Sequence, residues 1–128
     1  MQVGIRSLSG EEAQAAPLLR TSIYWAKDIV RAPLKSWIAK VLSDLSPNVY
    51  LAIDASGFNP SVMPAAAVPE PGGLDWYQVT SLVRAVAGHK KIVGMDVVEL
   101  IGKPDDRASA LLAAWLIYKT LGYIFCQA

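Results

Sequence analysis

Residues 48–73 read NVYLAIDASGFNPSVMPAAAVPEPGG, a short apolar run from Val49 to Ile53 that ends on Asp54 and gives way to a loop carrying Pro60, Pro64, Pro69 and Pro71. A strand ending on an acid, followed by a long proline-bearing loop, is how an α/β domain builds a site at the carboxyl edge of its sheet. Neither alternating set of the run is polar before Asp54, so the strand is expected to be buried on both faces.

Elements of alternating type extend in both directions from this strand. Upstream, Gln2 to Arg6 reads as a strand, Ser9 with Glu12 as a capping box opening a brief helix limited by Pro17, and Ile23 to Ala26 as a second strand. From Pro33, the residues Leu34, Trp37, Ile38, Val41, Leu42 and Leu45 keep the spacing of an amphipathic helix that stops near Ser46 and Pro47. Downstream, Asp75 caps a helix whose Trp76, Val79, Leu82, Val83 and Val86 face the core and which Gly88 ends. Lys91 to Leu100 is the fourth strand, and Pro104, Asp105 and Asp106 open a last helix to about Leu121. Four strands alternating with four helices predict a three-layer α/β/α domain with a parallel sheet of about four strands.

The 128 residues, 53% hydrophobic and 18% charged, suit one domain spanning 1–128 with a real core. Twelve Lys and Arg against eleven Asp and Glu leave a net charge of +1, and the longest basic cluster is His89 to Lys91. That balance argues against nucleic acid or an anionic membrane as the main partner. No charged-then-apolar leader precedes Gln2, and the single cysteine, Cys126, fits a reducing compartment, so the expected location is cytoplasmic. The most apolar segment, Ala108 to Tyr118, is well short of the roughly 20 residues that span a bilayer. It is apolar on nearly every face and is expected to be a buried or interface helix.

Chemistry-bearing residues are sparse. Asp54 and Glu99 end neighbouring strands of one βαβ unit and are expected close together at the carboxyl edge. Two acids there could hold a divalent cation or a guanidinium, or could simply cap neighbouring N–H groups or face water. Asp96 lies inside an apolar strand and reads as a structural, hydrogen-bonded acid. His89, the only histidine, falls at the opposite edge, roughly 20 Å from Glu99, which excludes the common zinc sites and a serine triad within one chain. No phosphate-binding glycine motif is present, and Gly72 with Gly73 reads as turn chemistry.

The opening stretch resembles the metal-site signature of the ureohydrolases, the arginase and agmatinase family, S-x-D-x-D-x-x-D-P continuing to T-P-x-P-G-G. Asp54 stands at the first acid, Ser56 replaces the second, Asn59 replaces the acid before Pro60, and Val68 replaces the threonine before Pro69. QVGIRS, PEPGGLDWYQVTSLVRAVAG, VGMDVVEL and DDRASALLAAWLIYKTLGY are similar to further family segments, in wording closer to agmatinase-like members, so the chain resembles the carboxyl-terminal half of the family fold. The resemblance implies that Asp54 would bridge two manganese ions and that Glu99 would engage a substrate guanidinium. The family's G-G-D-H-S and D-A-H-x-D segments are missing, so the reading expects no catalytic residue, no bound cofactor and no self-contained amidinohydrolase acting on linear amidines. It also implies that a strand from elsewhere lies between the first and third strands. The expected partner is a second copy of the chain, or a chain supplying the missing half.

Overall fold

The structure, a computed structural model, describes residues 1–102 and 105–126. Its elements in order are β1 (Gln2–Ile5), α1 (Gly10–Leu18), β2 (Ile23–Trp25), α2 (Ala26–Ile29), α3 (Leu34–Asp44), β3 (Asn48–Asp54), a 3-10 turn (Ala55–Gly57), α4 (Trp76–His89), β4 (Lys91–Val98) and α5 (Arg107–Phe125). Side-chain chemistry fixes several boundaries. The Ser9 hydroxyl accepts from the Glu12 N–H at 3.2 Å while the Glu12 carboxylate accepts from the Ser9 N–H at 2.7 Å, closing the expected capping box on α1. Asp75 and Gln78 form a second such box on α4. Asp106 caps α5 by accepting from both the N–H and the hydroxyl of Ser109.

The named strands pair in parallel, as expected, but the pairing is divided. β1 bonds β2, and β3 bonds β4, with no hydrogen-bonded ladder between the two pairs among the described residues. The four strands therefore make two short sheets instead of one, which fits a fold whose intervening strand belongs to another segment. Ile53 of β3 packs in a single cluster with Ile38, Val41, Val79, Val83 and Leu116, and this cluster joins the strands to α3, α4 and α5.

Three expectations need correction. β3 is covered on one face only: Val49 and Ile53 are buried, whereas Tyr50 on the other face is 60% exposed. An unbroken apolar run cannot report which of its faces other elements cover. β4 stops at Val98, two residues early, because Glu99 takes a left-handed φ of 59°. The last helix is longer than expected, running to Phe125, and its 19 residues include an 18-residue window of mean hydropathy 1.4, by length and composition enough to cross a membrane. Reading only the most apolar eleven residues understated it. Ser109, Ala113, Leu116 and Thr120 of α5 are nevertheless buried against the domain.

Tyr24 ties β2 to the end of α3, its hydroxyl donating to the Asp44 carboxylate at 2.9 Å. Burial, then that bond and the Asp44 charge, push the phenol up to about 12. A raised phenol stabilises the fold below its unfolded value near 10, and that contribution is lost as pH rises toward 12. A spectrophotometric titration is therefore expected to show Tyr24 ionising well above the ordinary range. Asp44→Asn should move it back toward the others, and an unmoved titration would refute the assignment.

Candidate functional site

The carboxyl edge of β3 and β4 is assembled from backbone register. Asp54 lies opposite Val98, so Glu99 follows one residue beyond, and the two acids end adjacent parallel strands as expected. Asp54 is committed through its side chain and Glu99 through its backbone. Asp54 accepts the Ser56 N–H at 2.7 Å and so caps the turn that follows its own strand. The Glu99 carbonyl accepts the Ala67 N–H at 2.8 Å, and Ile101 N–H donates to the Ala65 carbonyl at 2.8 Å, which laces the proline loop to the end of β4. The Asp54 carboxylate thus serves as a cap, one of the alternatives the sequence left open.

The positions that the metal-site signature fills with acids are equally occupied. The Ser56 hydroxyl accepts from the Val68 N–H at 3.4 Å. The Asn59 side-chain oxygen accepts from both the N–H and the hydroxyl of Ser61, at 2.9 and 2.8 Å. Among the described residues no group of three or more His, Cys, Asp or Glu side chains could hold a metal ion. One carboxylate with an oxygen already engaged, one hydroxyl and one amide do not fit a two-manganese centre, which needs several anionic oxygens to offset its charge.

Arg6, which sequence reasoning passed over, supplies the fixed charge of this edge. Its guanidinium donates to the Ser56 carbonyl and, at 3.3 Å, to the Gly57 carbonyl, and its Nε lies 3.5 Å from the Glu70 carboxylate. Ser7 donates to the other Glu70 oxygen at 2.6 Å. Arg6 therefore clamps β1, the turn after β3 and the PEPGG loop together. Its signal in the sequence was a lone cation closing an apolar strand at the predicted site edge. Arg6 and Trp25 also line two cavities, of about 450 and 310 Å³, and neither cavity is lined by Asp54 or Glu99.

The remaining candidates lie elsewhere. His89 ends α4 with its Nδ1 2.8 Å from the Ala85 carbonyl, at the edge opposite Glu99. Asp96 accepts from the Tyr50 hydroxyl at 3.1 Å, and that bond pushes the phenol above its ordinary range. The second Asp96 oxygen is buried without a hydrogen bond.

Known proteins match nearly the whole chain. The Arginase family matches residues 1–122. An N(1)-aminopropylagmatine ureohydrolase of Thermus thermophilus is 36% identical over 129 residues, covering 100% of this chain and 43% of that protein. The Synechocystis N(1)-aminopropylagmatine ureohydrolase is 32% identical over 96% of this chain and 40% of its own length. The chain thus spans about two-fifths of the length of these relatives. Among solved structures, the agmatine ureohydrolase of Thermoplasma volcanium superposes with a TM-score of 0.84 at 29% identity, covering 97% of this chain and 42% of that one. The arginase of Bacillus caldovelox, at 22% identity and a TM-score of 0.82, shares the fold. With the family matched from Met1 through Gly122 and an agmatine ureohydrolase superposing on 97% of its length, the chain belongs to the arginase family.

Proposed function

We propose that this chain is a non-catalytic ureohydrolase-fold domain that associates with itself. The observation that carries the reading is the state of the carboxyl edge. Asp54 caps a turn, and Ser56 and Asn59 place neutral, already bonded oxygens where the signature has acids. Metal-assisted hydrolysis at neutral pH depends on cations that lower the pKa of a bound water. Residues that cannot gather such cations leave the fold without its nucleophile. Self-association follows from the uncovered face of β3 and from an α5 that shows a broad apolar surface. The reading takes the cytoplasm as the compartment, where Cys126 stays reduced.

The purified chain with added manganese is expected to release no urea from agmatine and to retain no manganese after dialysis, measured by elemental analysis. Manganese-dependent urea release by the chain alone would overturn the reading.

The two-fifths coverage of the relatives favours a second reading, in which residues outside this chain complete a split manganese-dependent ureohydrolase acting on a guanidino compound such as agmatine. There Asp54 would be a remaining ligand and Glu99 the substrate contact. Adding a chain that carries G-G-D-H-S and D-A-H-x-D segments decides it, since urea release by the mixture would establish the split enzyme.

A further inference from the structure

We infer that β1, α1 and β2 form a flap, closed over the turn that follows β3 and latched by Arg6, which opens as a unit without unfolding the rest of the domain. The inference goes beyond the proposed function and does not depend on it. Of residues 1–25, Gly4 alone is buried, and α1 buries no residue at all. The core begins next door, where Ala26 and Ile29 of α2 are 3% and 2% exposed and Ile29 joins the cluster that holds Trp37, Val41 and Ile53. Val3 and Tyr24, partly buried against that cluster, are the flap's apolar hold on it. No strand ladder joins β1 and β2 to β3 and β4 among the described residues, so opening breaks no sheet pairing. A segment with so few buried apolar contacts opens at a lower free energy than a core that has many.

The hold on the flap is polar and is concentrated at one corner. Gly4 takes a φ of 84° and is the extra residue where the β1–β2 register shifts between Val3 and Ile5. A bulge of this kind re-aims the side chains that follow it. Arg6 comes next, its side chain 13% exposed, and it donates to the Ser56 carbonyl and, at 3.3 Å, to the Gly57 carbonyl, with its Nε 3.5 Å from the Glu70 carboxylate. Ser7 donates to the other Glu70 oxygen at 2.6 Å, and Tyr24 donates to Asp44 at 2.9 Å. Charge-assisted bonds such as those of Arg6 are roughly twice as strong as neutral ones, which makes that residue the latch. Packing across the seam is incomplete. A cavity of about 310 Å³ is lined by Ile5, Arg6 and Trp25 of the flap and by Pro71, Gly72 and Gly73 of the loop.

The joint lies between Trp25 and Ala26, where an extended residue at φ −71° and ψ 135° gives way to the buried α2. Rotation there carries Arg6 off the Ser56 and Gly57 carbonyls and frees Glu70 with the loop that bears it. The turn capped by Asp54 is then uncovered, so closure of the flap sets access to the carboxyl edge of β3.

Hydrogen exchange read by mass spectrometry on the full chain, on Arg6→Met and on Glu70→Gln tests this. In the wild type the amides of Gln2–Ile5 and Ile23–Trp25 are expected to exchange about 10-fold or more faster than those of residues 51–53 and 95–97. Arg6→Met keeps the length of the side chain and removes its donors. It should speed the flap amides a further 10- to 100-fold or so, while those of residues 51–53 and 95–97 change less than about 3-fold. Glu70→Gln removes only the charge that Arg6 faces, with about a 3-fold effect expected on the flap alone, and it reads the same latch should Arg6→Met fail to fold. Equal protection of both strand pairs in the wild type would overturn the flap, as would variants that speed both pairs alike. Flap amides unmoved by either substitution would overturn the assignment of the latch to Arg6.

Discussion

Gly73→Ala is expected to destabilise the domain by about 3–4 kcal/mol, from strain at a left-handed residue together with a backbone overlap. Gly73 holds φ at 94°, and a Cβ there would sit 2.6 Å from both the carbonyl carbon and oxygen of Phe58 and 2.8 Å from the Asn59 nitrogen. Those are backbone atoms and cannot rotate away. Moving them would break the pair of bonds that stitches the loop, Asn59 N–H to the Leu74 carbonyl at 2.9 Å and Leu74 N–H to the Gly57 carbonyl at 3.0 Å. It would also lift Phe58 and Leu74 out of the core cluster. Gly72→Ala is the control. Gly72 also has a positive φ, of 82°, but its nearest neighbour would be the Arg6 side chain at 3.5 Å, so only the conformational cost of about 1–2 kcal/mol is expected. Urea denaturation midpoints separate the two variants, and an equal loss at both positions would show that the overlap is relieved.

This corner also shows how much of the fold was legible in the sequence. The GG pair before Leu74 declares a turn because only glycine tolerates both positive dihedrals, and Ser9, Glu12 and Asp75 declare helix starts because their oxygens meet free N–H groups. Such signals are local, and the structure follows them. What escaped was non-local. The apolar run of β3 does not reveal that Tyr50 faces outward, because burial depends on what other elements cover. The division of four parallel strands into two pairs depends on whether a strand lies between them, which no residue of either strand records. In the site, Asp54 and Glu99 arrive at one edge as read, yet Arg6 comes from 50 residues away to the Ser56 carbonyl, a separation that no spacing rule predicts. Trp115 and Leu116 differ by one residue and look alike as apolar letters, although one faces solvent and the other the core.

That last pair yields the second large effect. Leu116→Ala is expected to cost about 3 kcal/mol, a core truncation that removes buried methyl groups and leaves a partly filled cavity. Leu116 is 1% exposed and belongs to the cluster that contains Ile53, Val79 and Val83, so its side chain is what seats α5 on the domain. Trp115→Glu, on the half-exposed side of the same helical turn, should change monomer stability by less than about 1 kcal/mol. The two variants therefore separate folding from association. If α5 is an interface built on a stable domain, Leu116→Ala lowers the denaturation midpoint and weakens self-association only in proportion to the fraction unfolded, because association is linked to the folded population by mass action. Trp115→Glu does the reverse, weakening any association through α5 while the dilute-solution midpoint stays in place. A Leu116→Ala protein that kept wild-type stability would mean that α5 is not anchored through this residue, and the buried stripe of Ser109, Ala113, Leu116 and Thr120 would then lose its role as the boundary between the domain core and the exposed face of the helix.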